Sequence, residues 1–340
     1  MNYQNLKLDK AMYKSGVPFS VQLERLDPSA NYAGGELAQL DAFQRQLKRF
    51  DIHVSGPNSD NIAKFFSTSD SAALFPEYVA RAVMQGTDQS DIISKIVASK
   101  TVINSMDYRT ITTTSEHDTT AKEVAEGGKI PETVIKLKDN LVRLTKRGRM
   151  LVASYEAVKF QRIDLFTVTL KQIGAYITQA QLADAIDVLI NGDAADDANQ
   201  NKAQTLQTAG TTLTYADLVA LWSSFEDFQM NTLIASPDMM QQMLALPELR
   251  DANGGLNFAG SGMIGTPLGA SVIRAKAAPA GTLIGLDRNF ALEMVTTGDI
   301  LVDADRLIDT QLERAAVTSI SGFAKIFPDA CKVLSLKKAS

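Results

Sequence analysis

The stretch "EGGKIPETVIKLKDNLVRLTKRGRMLVAS", residues 126–154, decides how this sequence is interpreted. A Gly-Gly turn and a proline precede a run in which apolar and basic residues alternate, and a period of two predicts an extended strand. The preceding segment "TVINSMDYRTITTT", residues 101–114, is also rich in β-branched residues. Together the two segments predict a long two-stranded ribbon. Because such a ribbon is only marginally stable in water by itself, it needs another surface to lie against.

The charges of the chain are separated into two opposite patches. The formal net charge is −5, yet residues 129–149 carry a local charge of +5 because seven basic residues stand against two acidic ones. Residues 287–313 carry a local charge of −5 from seven acidic residues against two basic ones. Opposed patches can pair within one chain or between copies of it. Two separate solvated faces are the alternative interpretation, since isolated exposed ion pairs contribute little stability.

Length and composition are those of an ordinary globular protein. The chain has 340 residues, of which 45% are hydrophobic and 21% charged, enough for a buried core. No apolar run reaches the roughly 18 residues of a membrane-spanning helix. The N-terminus also lacks the apolar core of a signal peptide, so we expect neither membrane insertion nor secretion. The single cysteine, Cys331, has no partner for a disulfide or a zinc site and is expected to be a small buried residue.

Helix patterns lie on both sides of the ribbon. Residues 35–50 predict one helix, and residues 68–86 predict another with Pro76 near its start and Gly86 at its end.

The segment after the ribbon predicts a short helix after Ser154 and then a beam-like helix over about 164–190, which Asn191-Gly192 ends. Beyond a polar loop the pattern becomes mixed α/β, and it closes with a long β-like run over residues 315–327.

Patterns for catalysis and metal binding lack the context that they need. The two histidines, His53 and His117, are too few and too poorly placed for a catalytic triad or a His-rich metal site. Residues 260–265, "GSGMIG", fit the dinucleotide pattern G-x-G-x-x-G, but no strand precedes them and Pro267 follows where a helix would have to begin. The acidic residues of 193–199 miss the spacing of a calcium loop. We therefore expect no catalysis, no cofactor and no metal ion.

In their order and spacing, the parts resemble the major capsid protein of tailed bacteriophages, whose fold is called HK97-like. The resemblance covers roughly residues 65–340 and rests on "ALFPEYVARAVMQG", "AKEVAEGGKIPETVIKLK", "LINGD" and "GFAKIFPDACKVLSL". It implies an α+β fold with an N-terminal arm over 1–70 and an extended β-hairpin loop over 101–150. It also implies an axial domain of mixed α/β structure over 196–296, and a peripheral domain over 71–100, 151–195 and 297–340 that contains a spine helix at about 164–190.

The resemblance implies a structural protein that assembles as hexamers and pentamers into an icosahedral shell around double-stranded DNA. Its expected partners are other copies of the chain, a portal, an optional decoration protein, and DNA contacted non-specifically, with no membrane. A separate scaffolding protein is expected because only about 65 residues precede the resemblance. The slightly acidic charge agrees with a container, since a strongly basic inner wall would bind the packaged DNA. Assembly is expected in the host bacterial cytoplasm, and the final location is the virion capsid.

The opposed charges give candidate contact residues between subunits. We expect the basic ribbon to dock on an acidic surface of the adjacent copy, with buried apolar area supplying most of the affinity. The basic candidates are Lys129, Lys136, Lys138, Arg143, Lys146 and Arg147, and the acidic candidates are Asp299, Asp303, Asp305 and Asp309.

One known member of the fold joins its subunits covalently through a ribbon lysine, an asparagine and a glutamate. Lys129 lies close to the matching turn, but residues 315–327 contain neither asparagine nor glutamate. No cross-link is therefore expected.

Two other classes remain open at this point. Encapsulin, a bacterial nanocompartment shell, resembles the same fold and holds cargo enzymes instead of DNA; the long N-terminal segment favours the phage protein. A soluble α/β enzyme would instead form a small oligomer with a deep polar pocket.

Overall fold

The computed structural model describes residues 3–15, 17–114, 123–124, 126, 134–138, 141–154, 160–193, 202–250, 267–298, 300–307 and 312–337. Within these ranges the α-helices are α1 (Phe19–Leu26), α2 (Ala42–Arg49), α3 (Ser69–Ala72), α4 (Phe75–Gln89), α5 (Ile163–Asn191), α6 (Tyr215–Ser223), α7 (Pro237–Ala245) and α8 (Pro247–Arg250). The strands are β1 (Ser99–Val102), β2 (Ile111–Thr114), β3 (Val134–Leu137), β4 (Thr145–Ser154), β5 (Gln204–Gln207), β6 (Thr232–Ala235), β7 (Ser271–Arg274), β8 (Thr282–Leu286), β9 (Leu292–Thr296), β10 (Leu301–Leu307), β11 (Leu312–Lys325) and β12 (Cys331–Ser335).

The strands form two five-stranded sheets and one two-stranded ribbon. The first sheet has the order β1-β9-β11-β10, and β4 also pairs with β11. The second has the order β5-β12-β8-β6-β7 and mixes parallel and antiparallel pairs. Strands β2 and β3 pair with each other as the ribbon. Separate helices and mixed sheets give the α+β class that the sequence predicts.

The chain divides into two compact units. Unit 1 consists of Met1–Ser90, Arg147–Thr178 and Asp299–Ser319, and unit 2 consists of Asp91–Lys146, Gln179–Gly298 and Ile320–Ser340. Each unit has its own apolar cluster of buried side chains.

In unit 1, α4 packs against the first half of α5 with direct contact between the backbones. A Cβ atom added to Gly86 would lie 2.0 Å from the carbonyl oxygen of Lys171, and one added to Gly174 would lie 2.2 Å from that of Val83. The prediction that Gly86 ends its helix was wrong, because α4 continues to Gln89. Gly86 serves close helix packing and not termination.

The segment expected as an N-terminal arm is folded into unit 1. Leu8, Phe19 and Phe43 are buried in the same apolar cluster as α4 and α5. Arg45 is fully buried, and its guanidinium donates to the Asp27 carboxylate at 2.6 Å, which meets the requirement that a buried charge be paired. The segment therefore has packed structure of its own, which a single helix pattern did not indicate.

The arm helix is shorter than its pattern predicted. Residues 35–50 suggested one continuous helix, but α2 begins only at Ala42. Asp41 and Gln44 form a capping box in which each side chain accepts from the other's backbone N–H, and this fixes the helix start.

The beam-like helix is confirmed as α5, which spans 29 residues and is roughly 40 Å long. Its predicted stop is also confirmed, because Gly192 adopts a φ of 83° and donates its N–H to the carbonyl oxygen of Val188. The short helix expected after Ser154 falls on residues 155–159, outside the described residues.

In unit 2, helices α6 and α7 and the second sheet share an apolar cluster. Met239, Met240 and Met243 are buried in it, as expected of core residues. The pattern Thr214-x-x-Asp217 predicts a capping box, and α6 has one. No helix within the described ranges is long and apolar enough to cross a membrane.

Candidate inter-subunit interface

The ribbon exposes an apolar face. Ile111 of β2 lies opposite Leu137 of β3, and Ile135 lies on the same face as Leu137 because strand side chains alternate. Ile135 is 66% exposed and Leu137 63% exposed, which is unusual for residues of this size in strands. Adjacent exposed apolar side chains mark a surface that a partner covers.

The opposite face of the ribbon carries charge. Lys136 is exposed and lies opposite Thr112 in the register of β2 and β3. The alternation seen in the sequence therefore separates an apolar face from a basic one. The sequence prediction emphasised the lysines. In the described part of the ribbon, however, large apolar side chains are exposed as well as Lys136.

Lys138 does not belong to this exposed face. It is 4% exposed, and its ammonium lies 3.2 Å from Asp193 Oδ2 and donates to the carbonyl oxygen of Lys325 at 2.8 Å. Within the single chain its charge is thus paired inside unit 2, and the predicted contact of Lys138 with a neighbouring subunit stays a prediction. The sequence offered no local sign of this pairing, since Asp193 is 55 residues away.

The remaining basic candidates have different surroundings. Arg143 and Lys146 are exposed, and Arg147 is half-buried. On β4 the next arginine, Arg149, places its guanidinium 5.2 Å from the centre of the Tyr176 ring. Lys129 lies outside the described residues.

The acidic stretch is less exposed than its composition suggested. Asp287 and Glu293 are 3% and 6% exposed, so they cannot form part of an open acidic surface. The Asp287 carboxylate accepts from the Gln229 N–H and the Asn231 amide. A count of charges along the chain missed this burial.

The exposed acidic candidate is Asp303 on β10. It lies opposite Ala316 of β11, and Leu301, two residues earlier, is 62% exposed. Asp305 lies opposite Arg314 in the same register. Asp299 and Asp309 are outside the described residues. Within the described residues, β10 therefore presents one exposed acidic side chain beside an exposed apolar one.

The described residues contain no arrangement typical of a catalytic centre. His53 is exposed and its ring nitrogen contacts Asp60 at 3.2 Å, while His117 and residues 260–265 lie outside the described ranges. Burial raises the pKa of the Cys331 thiol to about 11, which keeps it protonated and unreactive. No group of three potential metal-ligating side chains occurs in the part of the chain that is described.

A shallow cavity of about 370 Å³ lies beside α7. Pro237, Met240, Gln241, Leu244 and Arg274 line it. These side chains include neither a general acid or base of suitable pKa nor a nucleophile, so the cavity gives no support to an enzymatic function.

Comparison with solved structures identifies the architecture. A virus-like particle from Pyrococcus furiosus has a TM-score of 0.51 at 12% identity, over 76% of this chain and 98% of that chain. The capsid of a native GTA particle has a TM-score of 0.52 at 17% identity, over 72% and 90%. The capsid of the cyanophage P-SCSP1u has 0.52 at 13% identity, over 73% and 88%. At these identities the likeness concerns the fold, which is the HK97-like capsid fold predicted from the sequence.

The family follows from the sequence itself. The family model described as "Phage capsid protein" matches residues 138–323. This match covers more than half of the chain, and the chain therefore belongs to the phage capsid protein family. It is a structural protein of the virion shell. Comparison with curated proteins found no match.

Proposed function

We propose that this protein is the major capsid protein of a tailed bacteriophage and that it assembles as hexamers and pentamers into an icosahedral shell around double-stranded DNA. Membership of the phage capsid family supports the shell role. The single observation that carries the proposal is the uncovered apolar face of Ile111, Ile135 and Leu137 on a ribbon of only two strands. Such a face gains stability when a second copy covers it, because burying each large apolar side chain contributes about 1.5–3 kcal/mol.

The proposed contact is between the ribbon of one copy and an acidic surface of the next. Lys136 provides charge on the ribbon, and Arg143, Lys146 and Arg147 provide more beyond its base. Asp303, with the exposed Leu301 beside it, is the described part of the receiving surface. Lys129, Lys138, Asp299, Asp305 and Asp309 stay candidates for this contact. Because the charges are exposed, they set register and orientation, and the apolar area supplies most of the affinity.

Further partners belong to the same proposal. A scaffolding protein and a portal would act with the chain during assembly in the bacterial cytoplasm, and a decoration protein could bind the finished shell. DNA would be contacted without sequence specificity. Support for these partners comes from the capsid family as a class.

The test is expression of the chain in bacteria, with and without a candidate scaffolding protein, followed by electron microscopy of the purified material. Closed angular shells built from hexamers and pentamers are expected, and shells from phage-infected cells are expected to contain DNA. Particles that hold a cargo enzyme would instead indicate a nanocompartment. A stable small oligomer under all these conditions would refute the proposal.

A further inference from the structure

The ribbon joins the body of unit 2 at one pair of residues. The N–H of Lys138 donates to the carbonyl oxygen of Thr110 at 2.9 Å. Both residues are buried, whereas their neighbours in the ribbon, Ile111 and Leu137, are exposed. Two segments connect the ribbon to unit 2: the incoming leg, which ends at Thr110, and the outgoing leg, which begins at Lys138. On each leg the change from buried core to exposed ribbon occurs within one residue.

A carboxylate fixes the incoming leg. Glu293 on β9 accepts hydrogen bonds from Thr101 Oγ1 at 2.5 Å, from the Tyr108 hydroxyl at 2.7 Å and from Thr110 Oγ1 at 2.6 Å. Tyr108 and Thr110 are two residues apart, and their hydroxyls donate to the two oxygens of the same carboxylate. Burial, together with the hydrogen bond to Glu293, raises the pKa of the Tyr108 hydroxyl, so it stays a donor.

A second carboxylate fixes the outgoing leg. Asp193 Oδ2 lies 3.2 Å from the Lys138 ammonium and also accepts from the Lys325 N–H at 2.9 Å. The Lys138 ammonium donates as well to the carbonyl oxygen of Lys325 at 2.8 Å. The outgoing leg is thereby joined to β11 through a buried ion pair.

The position of Asp193 depends on the end of α5. Gly192 adopts the left-handed conformation that ends this helix, and Asp193 follows it directly. Lys325 donates from its ammonium to the carbonyl oxygen of Leu189 in the last turn of α5 at 3.1 Å, where a cation is favoured by the helix dipole. Burial lowers the pKa of the Lys325 ammonium, and nearby Cys331, Asp193 and Asp329 oppose that effect.

We propose that Asp193 and Glu293 are positioning residues that set the register and direction in which the ribbon leaves the subunit. This inference rests on the proposed shell function, because it concerns which face of the ribbon meets the next copy. A slip of one residue in an extended strand exchanges its two faces. In β3 that slip would place Leu137 where Lys138 meets Asp193, and it would turn Lys136 toward the side that Ile135 and Leu137 occupy.

A buried ion pair is suited to this task. Such pairs contribute little net stability compared with apolar residues of similar size, but a mismatch leaves a buried charge without its partner and is strongly unfavourable. A purely apolar contact at the point where the ribbon joins unit 2 would tolerate a shift of β3 by one residue. The pair of Lys138 and Asp193 therefore selects one register, and the hydroxyl contacts of Glu293 fix the other leg.

The test uses the double variant K138M/D193N. The asparagine introduced at position 193 keeps an oxygen for the Lys325 N–H, and the methionine introduced at position 138 removes the ammonium that a single D193N change would leave buried and unpaired. Hydrogen exchange is measured by mass spectrometry on the unassembled subunit, together with the melting temperature and the yield of particles. The control is D60N/K64M, which removes the ion pairs of Lys64 with Asp60 at 3.3 Å and with Asp51 at 3.0 Å in unit 1.

We expect the melting temperature of K138M/D193N to stay close to that of the wild type. Amides of residues 111–114 and 134–137 should exchange roughly tenfold faster, because the ribbon opens locally once its base is free, while those of β6, β8 and β12 keep their rates. The particle yield should fall severalfold, and the control should change neither ribbon exchange nor yield.

Ribbon amides that exchange at the wild-type rate in the double variant would overturn the inference. Exchange is measured before assembly, so failure of the wild type to form shells would refute the proposed function and leave this result interpretable.

Discussion

Gly86 of α4 and Gly174 of α5 lie against each other, and neither position has room for a side chain. A Cβ atom at Gly174 would be 3.1 Å from the carbonyl carbon of Gly86, and one at Gly86 would be 2.0 Å from the carbonyl oxygen of Lys171. The obstructing atoms belong to backbone and cannot move aside as a flexible side chain can. At this contact the backbones of α4 and α5 pack directly against each other with no side chain between them.

The first prediction follows from this contact. Gly86→Ala should destabilise the subunit by about 1–3 kcal/mol, because the extra methyl group forces the helices apart in a close-packed core. The free energy of unfolding is measured by chemical denaturation. Gly35→Ala is the control, since its Cβ would meet only the Tyr32 carbonyl oxygen at an ordinary 3.7 Å. Equal stability of the two variants would contradict the prediction.

The second prediction concerns the apolar face of the ribbon. The double variant I135S/L137S should fold with nearly wild-type stability, because both side chains are exposed in the subunit. It should assemble poorly, since each lost apolar contact removes about 1.5–3 kcal/mol from an interface repeated around the shell. The measurement is particle yield by sedimentation, with circular dichroism to confirm folding.

A matched control for the ribbon face is Leu26→Ser, which changes an exposed apolar residue of α1. Assembly of this variant should equal that of the wild type. Normal assembly of I135S/L137S would mean that the ribbon face is not buried between subunits.

The third prediction tests the charge complementarity. Lys136→Glu should lower particle yield modestly, because a single exposed ion pair is worth roughly 0–1 kcal/mol. If Lys136 meets Asp303 of the next copy, the combination with Asp303→Lys should restore assembly. Yield is compared at low and high salt, where the loss caused by Lys136→Glu should shrink because screening weakens the repulsion. Failure of the reversal to restore yield at any salt concentration would exclude this pair.

Local patterns in the sequence were sufficient where a structural feature has a local cause. The stop of α5 at Asn191-Gly192 was predicted because a glycine in the left-handed conformation closes a helix with neighbouring residues alone. The long strand over residues 315–327 was predicted from its β-branched composition, and most of it is part of β11. The ribbon itself was predicted from alternation, and the described parts of β2 and β3 have that pairing.

The sequence was insufficient where the cause lies far along the chain. Nothing near Lys138 distinguishes it from the exposed Lys136, because its partner Asp193 is reached only through the end of α5. Gly86 has the appearance of a helix stop until the position of Lys171 is known. Glu293 was counted as surface charge, although three hydroxyl groups from another segment surround it. In each case tertiary packing, and not local preference, decided the environment.

The fourth prediction concerns acid stability of unit 2. Burial acts to raise the pKa of Asp217, but hydrogen bonds from the Thr214 hydroxyl and from the N–H groups of Ala209 and Thr214 outweigh it, so this pKa lies below its usual value. A carboxyl with a lowered pKa in the folded state adds stability above its unfolded pKa of about 3.9 and loses it as the pH falls through the folded value. Asp217→Asn should therefore be less stable than the wild type at pH 7, by about 0.5–1.5 kcal/mol, because the neutral amide accepts the hydrogen bonds from Ala209 and Thr214 less strongly than the carboxylate does. The difference should narrow as the pH falls below about 4, where the carboxyl is protonated first in the unfolded chain and, at lower pH, in the folded protein as well. Denaturation at a series of pH values measures the difference, with Asp227→Asn, a change at an exposed carboxylate, as the control. A gap between Asp217→Asn and the wild type that stays constant across this range would show that the charge of Asp217 does not contribute to the cap.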